Sequence, residues 1–290
     1  MYLILKMNKL DINILYLIFG FLSFPSKITF RFISKYMHLL EIHDFYDVEE
    51  KYLRLLNDEI LLNYPFIKYL NAKNNKKITD KGIKKLNLKK LNANYNEKIT
   101  DINHMNNLYE LHATGYCGIS NKDIKNLNLK KLNVSNNKKI ININHMNNLY
   151  ELNASNGSGI TNEGITHLKN IRKLNASNNP KITNVNHMKI LVELDASFDC
   201  GIDDKGIINL NSIKKLCINN NSKITNLNHM NNLSELCVSG KKCEISNCGI
   251  KNLNLKILYS NNNEKIKNIT SIIKFKFKYC DWCNNPYDIM

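Results

Sequence analysis

Ile171-Arg172-Lys173-Leu174-Asn175-Ala176-Ser177-Asn178-Asn179 is the stretch whose spacing decides the architecture of this chain. Its fourth and sixth residues are apolar and alternate with polar ones, as in a strand buried on one face. The same pattern begins at Leu88, Leu129, Ile213 and Leu255, and a longer variant at Ile67, Leu108, Leu149, Leu191 and Leu233. Short and long units thus alternate with a combined period of about 42 residues. Self-similarity on that scale predicts a stacked array in which each unit buries its apolar face only against its neighbours.

Within a unit, positions 4 and 6 point to the core (Leu91 with Ala93, Leu111 with Ala113), and positions 3, 5 and 7 point outward. Position 9 is Asn in every short unit: Asn96, Asn137, Asn179, Asn221 and Asn263. A stacked amide there supplies the hydrogen bonds that a buried turn requires, and accounts for a share of the roughly fifty asparagines. Four long units have Tyr116, Gly157, Asp199 and Lys241 instead, with Cys117, Cys200 or Cys243 beside three of them. Motifs such as Ile78-Thr-Asp-Lys-Gly-Ile83 and Ile202-Asp-Asp-Lys-Gly-Ile207 follow, whose Asp or Asn is expected to cap a short convex helix. Position 3 alternates in charge, from Lys90 and Glu110 to Lys215 and Glu235. Opposite charges on strands about 4.8 Å apart read as a register device on a neutral surface.

The ten units resemble the leucine-rich-repeat consensus over residues 67–279. The long units resemble the cysteine-containing subclass found in F-box/leucine-rich-repeat proteins, and the short ones the compact repeats of internalins. The resemblance implies an α/β solenoid, a horseshoe with a parallel concave sheet.

Residues 8–45 do not fit the repeat. Leu10, Ile14, Leu15, Ile18, Phe19 and Leu22 fall on a helix face, Pro25 interrupts, and a second helical stretch runs over 27–43. With Ser34-Lys35, this order resembles an F-box, although Asp11 stands where F-boxes usually have Pro and no Trp follows the Ser-Lys pair. The other reading is an N-terminal cap, since the ends of a stacked array must be covered. Residues 46–66 read as linker and cap, and 280–290 as a tail.

The net charge is +16. A Lys excess spread over solvated faces accounts for it, and no module pairing aromatic with basic residues points to nucleic acid. No apolar run reaches the roughly 18 residues of a membrane span. The eight cysteines, several at turn positions, read as reduced thiols. The stretch Ile12 to Phe24 lacks a small-residue cleavage site, and the sequons at Asn133, Asn153 and Asn175 lie on packed strands, so an intracellular protein is expected.

Asn-His-Met at 103–105, 144–146, 186–188 and 228–230 recurs only on every second strand, too far apart for shared metal ligation. Cys280-Asp-Trp-Cys283 is half a zinc motif at most and reads as part of a terminal cap. No phosphate loop, nucleophile elbow or paired-carboxylate signature occurs, so neither catalysis nor a cofactor or metal is expected. The F-box resemblance implies the substrate receptor of an SCF-type cullin-RING ubiquitin ligase, docked on a Skp-type adaptor and holding an unidentified target protein. The alternative is a repeat scaffold with no ligase link. For the target, the expected contact is a last strand presenting Lys274, Lys276 and Lys278 beside Tyr259; a charged edge that prevents strand pairing is the competing reading.

Overall fold

The structure, a computed structural model, describes residues 12–31 and 42–267. Among the described residues, eleven short strands form one sheet in strict chain order, every neighbour parallel. β1 (Asp44–Phe45) precedes the repeats, and β2 (Tyr69–Asn71) to β11 (Ile257–Tyr259) come one from each unit. The central residue of each repeat strand is a leucine with at most 2% exposure, so the sheet rests on a continuous leucine column. β1 was not foreseen in the sequence: Phe45 is buried edge-to-face on Tyr64, with ring centroids 5.1 Å apart, which carries the array one strand further toward the N-terminus.

Stacking is fixed by side chains that reach from one unit to the next. Asn179 is fully buried; its Nδ2 donates to the Ala154 and Ile160 carbonyls at 2.8 and 3.2 Å, and its Oδ1 accepts from the Lys181 amide at 3.1 Å. Asn96, Asn137, Asn221 and Asn263 make equivalent bonds, as position 9 predicts. The buried turn of the long unit supplies a further acceptor, Cys117 Sγ for Asn137 and Ser158 Oγ for Asn179, each at 3.3 Å.

The Asn-His-Met motif is a coupling device. Asn186 Nδ2 donates to the Lys205 carbonyl of the following unit at 2.7 Å, and His187 Nε2 lies 2.9 Å from the Ile165 carbonyl of the preceding one. Met188 is buried between them. The same three roles recur at 103–105, 144–146 and 228–230, and no metal-holding cluster occurs among the described residues.

One expectation needs correction. The helix Asp80–Ile83 is capped by Thr79, not by Asp80, which instead accepts from the Thr100 and Asp101 amides of the next unit at 2.6 and 3.0 Å. Asp204 does the same toward Thr225 and Asn226 while Asp203 caps its helix. The residue at the first helical position faces the neighbouring unit, so its carboxylate meets amides there rather than those of its own turn.

A second use of asparagine lies at position 8, where the chain leaves the sheet. Asn74, Asn136, Asn156, Asn178, Asn220 and Asn262 all have φ between 53 and 59°. Asn enters this left-handed region more readily than most residues because its short side chain makes local hydrogen bonds. Gly115 and Gly240 serve at the same position, with φ of 65 and 98°. Two units carry aromatic residues there: Tyr95 at 56° and Phe198 at 58°.

The N-terminal helices, α1 (Ile12–Phe21) and α2 (Phe24–Arg31), cover the first end of the array. Leu15, Phe19 and Phe30 are buried in the same core as Ile42, Phe45 and Leu61, and the Arg31 guanidinium lies 5.5 Å from the centre of the Tyr64 ring.

Candidate recognition surface

The outward face of the sheet holds three parallel columns of side chains. Along position 3, Lys90–Glu110, Lys131–Glu151, Lys173–Glu193 and Lys215–Glu235 form ion pairs of 2.9–3.1 Å between adjacent strands. The alternation read from the sequence is therefore realised as paired rungs, and this column is neutral. At its N-terminal end Lys90 Nζ also sits 3.9 Å from the Tyr46 ring centre, and His112 Nε2 lies 2.9 Å from Glu110 Oε1. Burial raises the Glu110 carboxyl, but the bonds from His112 and Lys90 outweigh it and leave the acid below its usual range.

Along position 5, Asn133, Asn153 and Asn175 turn each Oδ1 to the amide two residues on, at 2.9–3.1 Å. Their Nδ2 groups have no protein acceptor among the described residues and face outward. The position-7 hydroxyls of Ser155 and Ser177 donate back to the position-5 Oδ1, both at 2.7 Å. The result is a groove of about 1020 Å³ lined by asparagine and serine, with Tyr95 and Phe198 also in its wall. Repeat alignment could have singled out these two aromatics, because they stand where the other units have Asn or Gly; only the backbone shows what that exchange costs.

Further along the same column, Asp195 is 8% exposed and, among the described residues, its carboxylate accepts only from Ser197. Burial outweighs those bonds and pushes the acid up to about 6. Next come Cys217 and Cys237, paired in register and fully buried, with Tyr259 packed on them. Burial raises the Cys217 thiol well above its ordinary value and pushes Cys200 up to about 12, so both stay protonated. A buried thiol of this kind is a weak nucleophile.

Tyr259 thus lies on the expected face but is 7% exposed and offers no open ring. Lys274, Lys276 and Lys278, and the Cys280–Cys283 pair, lie outside the described residues. The adaptor candidates divide. Leu15 and Phe19 are buried in the chain's own core, Ile18 and Leu22 are half-buried against it, and Leu10 lies outside the described residues. Open apolar surface on α1 comes from Ile14, Leu17 and Phe21, at 46, 64 and 86% exposure. The helix is apolar on both sides, and its spacing alone did not say which side the array would take.

Among solved structures, the chain is similar to an internalin, InlF, of Listeria monocytogenes strain 4b F2365. The identity is 24%, the match covers 68% of this chain and 62% of that one, and the TM-score is 0.52. The functional domain of InlJ from Listeria monocytogenes matches at 17% identity over 70% of this chain and 50% of that one, with a TM-score of 0.46. The Rad7–Elc1 complex of yeast matches at 15% identity over 87 and 92%, with a TM-score of 0.34. Of these only the first bears on architecture, and the chain spans 62% of that internalin's length. No family model matches the chain, and no curated protein matches its sequence. The fold is a leucine-rich-repeat solenoid with an open parallel sheet. No described helix is long and apolar enough to cross a membrane.

Proposed function

We propose that this chain is a non-catalytic recognition scaffold whose concave groove binds a partner protein. One observation carries the reading: Tyr95 and Phe198 hold left-handed backbone conformations in the wall of an amide-lined groove. A bulky residue at positive φ costs roughly 1–2 kcal/mol, and strain of this kind is kept where a side chain is needed at that place. Two aromatic anchors with polar donors between them form a surface of the kind that supplies binding hot spots. The neighbouring thiols are buried and protonated, and the glutamates of position 3 are each ion-paired.

The reading predicts opposite effects on stability and binding. Replacing Tyr95 and Phe198 with Asn, the residue most units use, is expected to stabilise the fold by about 1–2 kcal/mol in total. Capture of the partner should fall at least ten-fold. Undiminished capture by the double variant would overturn the groove as the binding surface.

The exposed row Ile14, Leu17 and Phe21 favours a narrower second reading. In it the outer side of α1 docks on a Skp-type adaptor, and the chain serves as substrate receptor of an SCF-type cullin-RING ligase, supplying proximity while its partners supply the chemistry. Ile14→Asp with Phe21→Asp is expected to abolish co-purification of the adaptor and leave the melting curve of the array unchanged. Adaptor retained at wild-type levels would sink this reading and leave the scaffold standing.

A further inference from the structure

The sheet has a fourth column that the groove does not use. Position 2 of each unit stands where the strands begin, and successive residues there are joined by backbone bonds. The Lys89 amide donates to Lys68, Tyr109 to Lys89, Lys130 to Tyr109, Tyr150 to Lys130 and Arg172 to Tyr150, at 2.7–3.0 Å. The ladder continues through Val192, Lys214 and Ser234 to Lys256 at 2.8–2.9 Å. The column is therefore a continuous rim, and every short unit places a cation on it.

These cations differ from their neighbours at position 3. There each of Lys90, Lys131, Lys173 and Lys215 has its own glutamate. On the rim, Lys89, Lys130, Arg172, Lys214 and Lys256 are exposed, and none pairs with an acid among the described residues. A lysine-rich composition would fill both columns alike; it does not explain why one is compensated and the next is not. The use of Arg172, one of three arginines in the chain, keeps the charge with a different side chain.

The rim also has a defined spacing. From Lys89 to Lys256 the exposed cations recur on every second strand, about 9.6 Å apart at the usual strand separation; the half-buried Lys68 adds one on the strand before Lys89. A β-strand partner does not match this interval, because its same-face residues fall at multiples of about 6.7 Å. A polyproline-II segment does: it has three residues per turn and rises about 3.1 Å each, so every third side chain faces the same way at about 9.3 Å. Single-stranded nucleic acid fits less well, because it relies on open aromatic faces for stacking. Tyr109 and Tyr150 are half-buried, and Lys131 already lies 5.9 Å over the Tyr150 ring.

We infer that this rim binds an acidic segment of the partner protein in polyproline-II conformation, with a carboxylate at every third residue. The inference rests on the scaffold reading and specifies part of its partner. The groove would hold the partner's folded surface, and the rim a flanking unfolded stretch of about 13 residues, the length that meets all five cations.

The test uses the full chain and two peptides of identical composition. One has five Glu-Pro-Pro repeats; the other has its five glutamates in one block. At low salt the repeat peptide is expected to bind at least ten-fold more tightly, and to weaken steeply as salt is added. Lys130→Ser, Arg172→Ser and Lys214→Ser together should lower its affinity at least ten-fold. Lys98→Ser, Lys138→Ser and Lys181→Ser, which remove the same charge at the opposite ends of the strands, should change it less than two-fold. Equal binding of the two peptides, or equal loss in the two triple variants, would show a response to net charge alone and overturn the inference. Tighter binding of a 15-residue oligothymidine than of the repeat peptide would overturn it in favour of nucleic acid. Partner capture that still depends on Tyr95 and Phe198 would show that the groove reading survives such a failure.

Discussion

Asn179→Ala is expected to destabilise the array by about 4 kcal/mol. The side chain removed is fully buried and serves the Ala154 and Ile160 carbonyls, Ser158 Oγ and the Lys181 amide. Each polar group orphaned in the interior costs about 1–3 kcal/mol, and several lose their partner together. No nearby side chain replaces a donor that sits between two units. Because each unit is stabilised chiefly by its neighbours, the loss separates the array at one interface rather than loosening it evenly. Denaturant unfolding checks this; a change below 1 kcal/mol would mean that water or backbone rearrangement satisfies these groups.

Asp195→Asn should act in the other direction. The carboxyl titrates at about 6 in the folded chain against 3.8 for the free group. Between those values the folded state holds more protons than the unfolded one, so stability falls as pH rises from about 4 to 6 and is level above. The ionised group therefore costs the folded chain on the order of 2–3 kcal/mol at neutral pH. Asparagine is already the residue at this position in Asn133, Asn153 and Asn175, where its Oδ1 makes the bond that Asp195 makes to the Ser197 amide. The variant is expected to gain that stability at neutral pH and to lose the slope between pH 4 and 6. A variant no more stable than the wild type at neutral pH would show that Asp195 is solvated when ionised.

Much of the stacking was legible in the sequence because it repeats. Leucine spacing gave the strands, position 9 gave the buried asparagines, and the alternation at position 3 gave paired rungs. What escaped depends on direction. The carboxylate of Asp80 looked like a helix cap because Asp is a good cap residue; its bonds instead run to Thr100 and Asp101, a neighbour that local spacing does not reveal. The helix from Ile12 to Phe21 is apolar on two sides, so its pattern fitted both a cap and a docking element, and the structure buries Leu15 and Phe19 while leaving Ile14, Leu17 and Phe21 open. Tyr95 and Phe198 depart from the Asn or Gly of the other units at position 8, but only their positive φ shows what that departure costs. Asn133, Asn153 and Asn175 of the groove were legible as outward residues, but not the fact that each Oδ1 is used locally while each Nδ2 has no acceptor among the described residues.

The most direct measurement is site-specific photocrosslinking on the full chain. A photoreactive residue is placed at Ser177 in the groove or at Lys205 on the opposite, helical side. The recognition account predicts one partner protein crosslinked from Ser177, absent from Lys205, and lost when Tyr95 and Phe198 are replaced by Asn. Crosslinks to the same proteins from both positions, unaffected by those replacements, would contradict it.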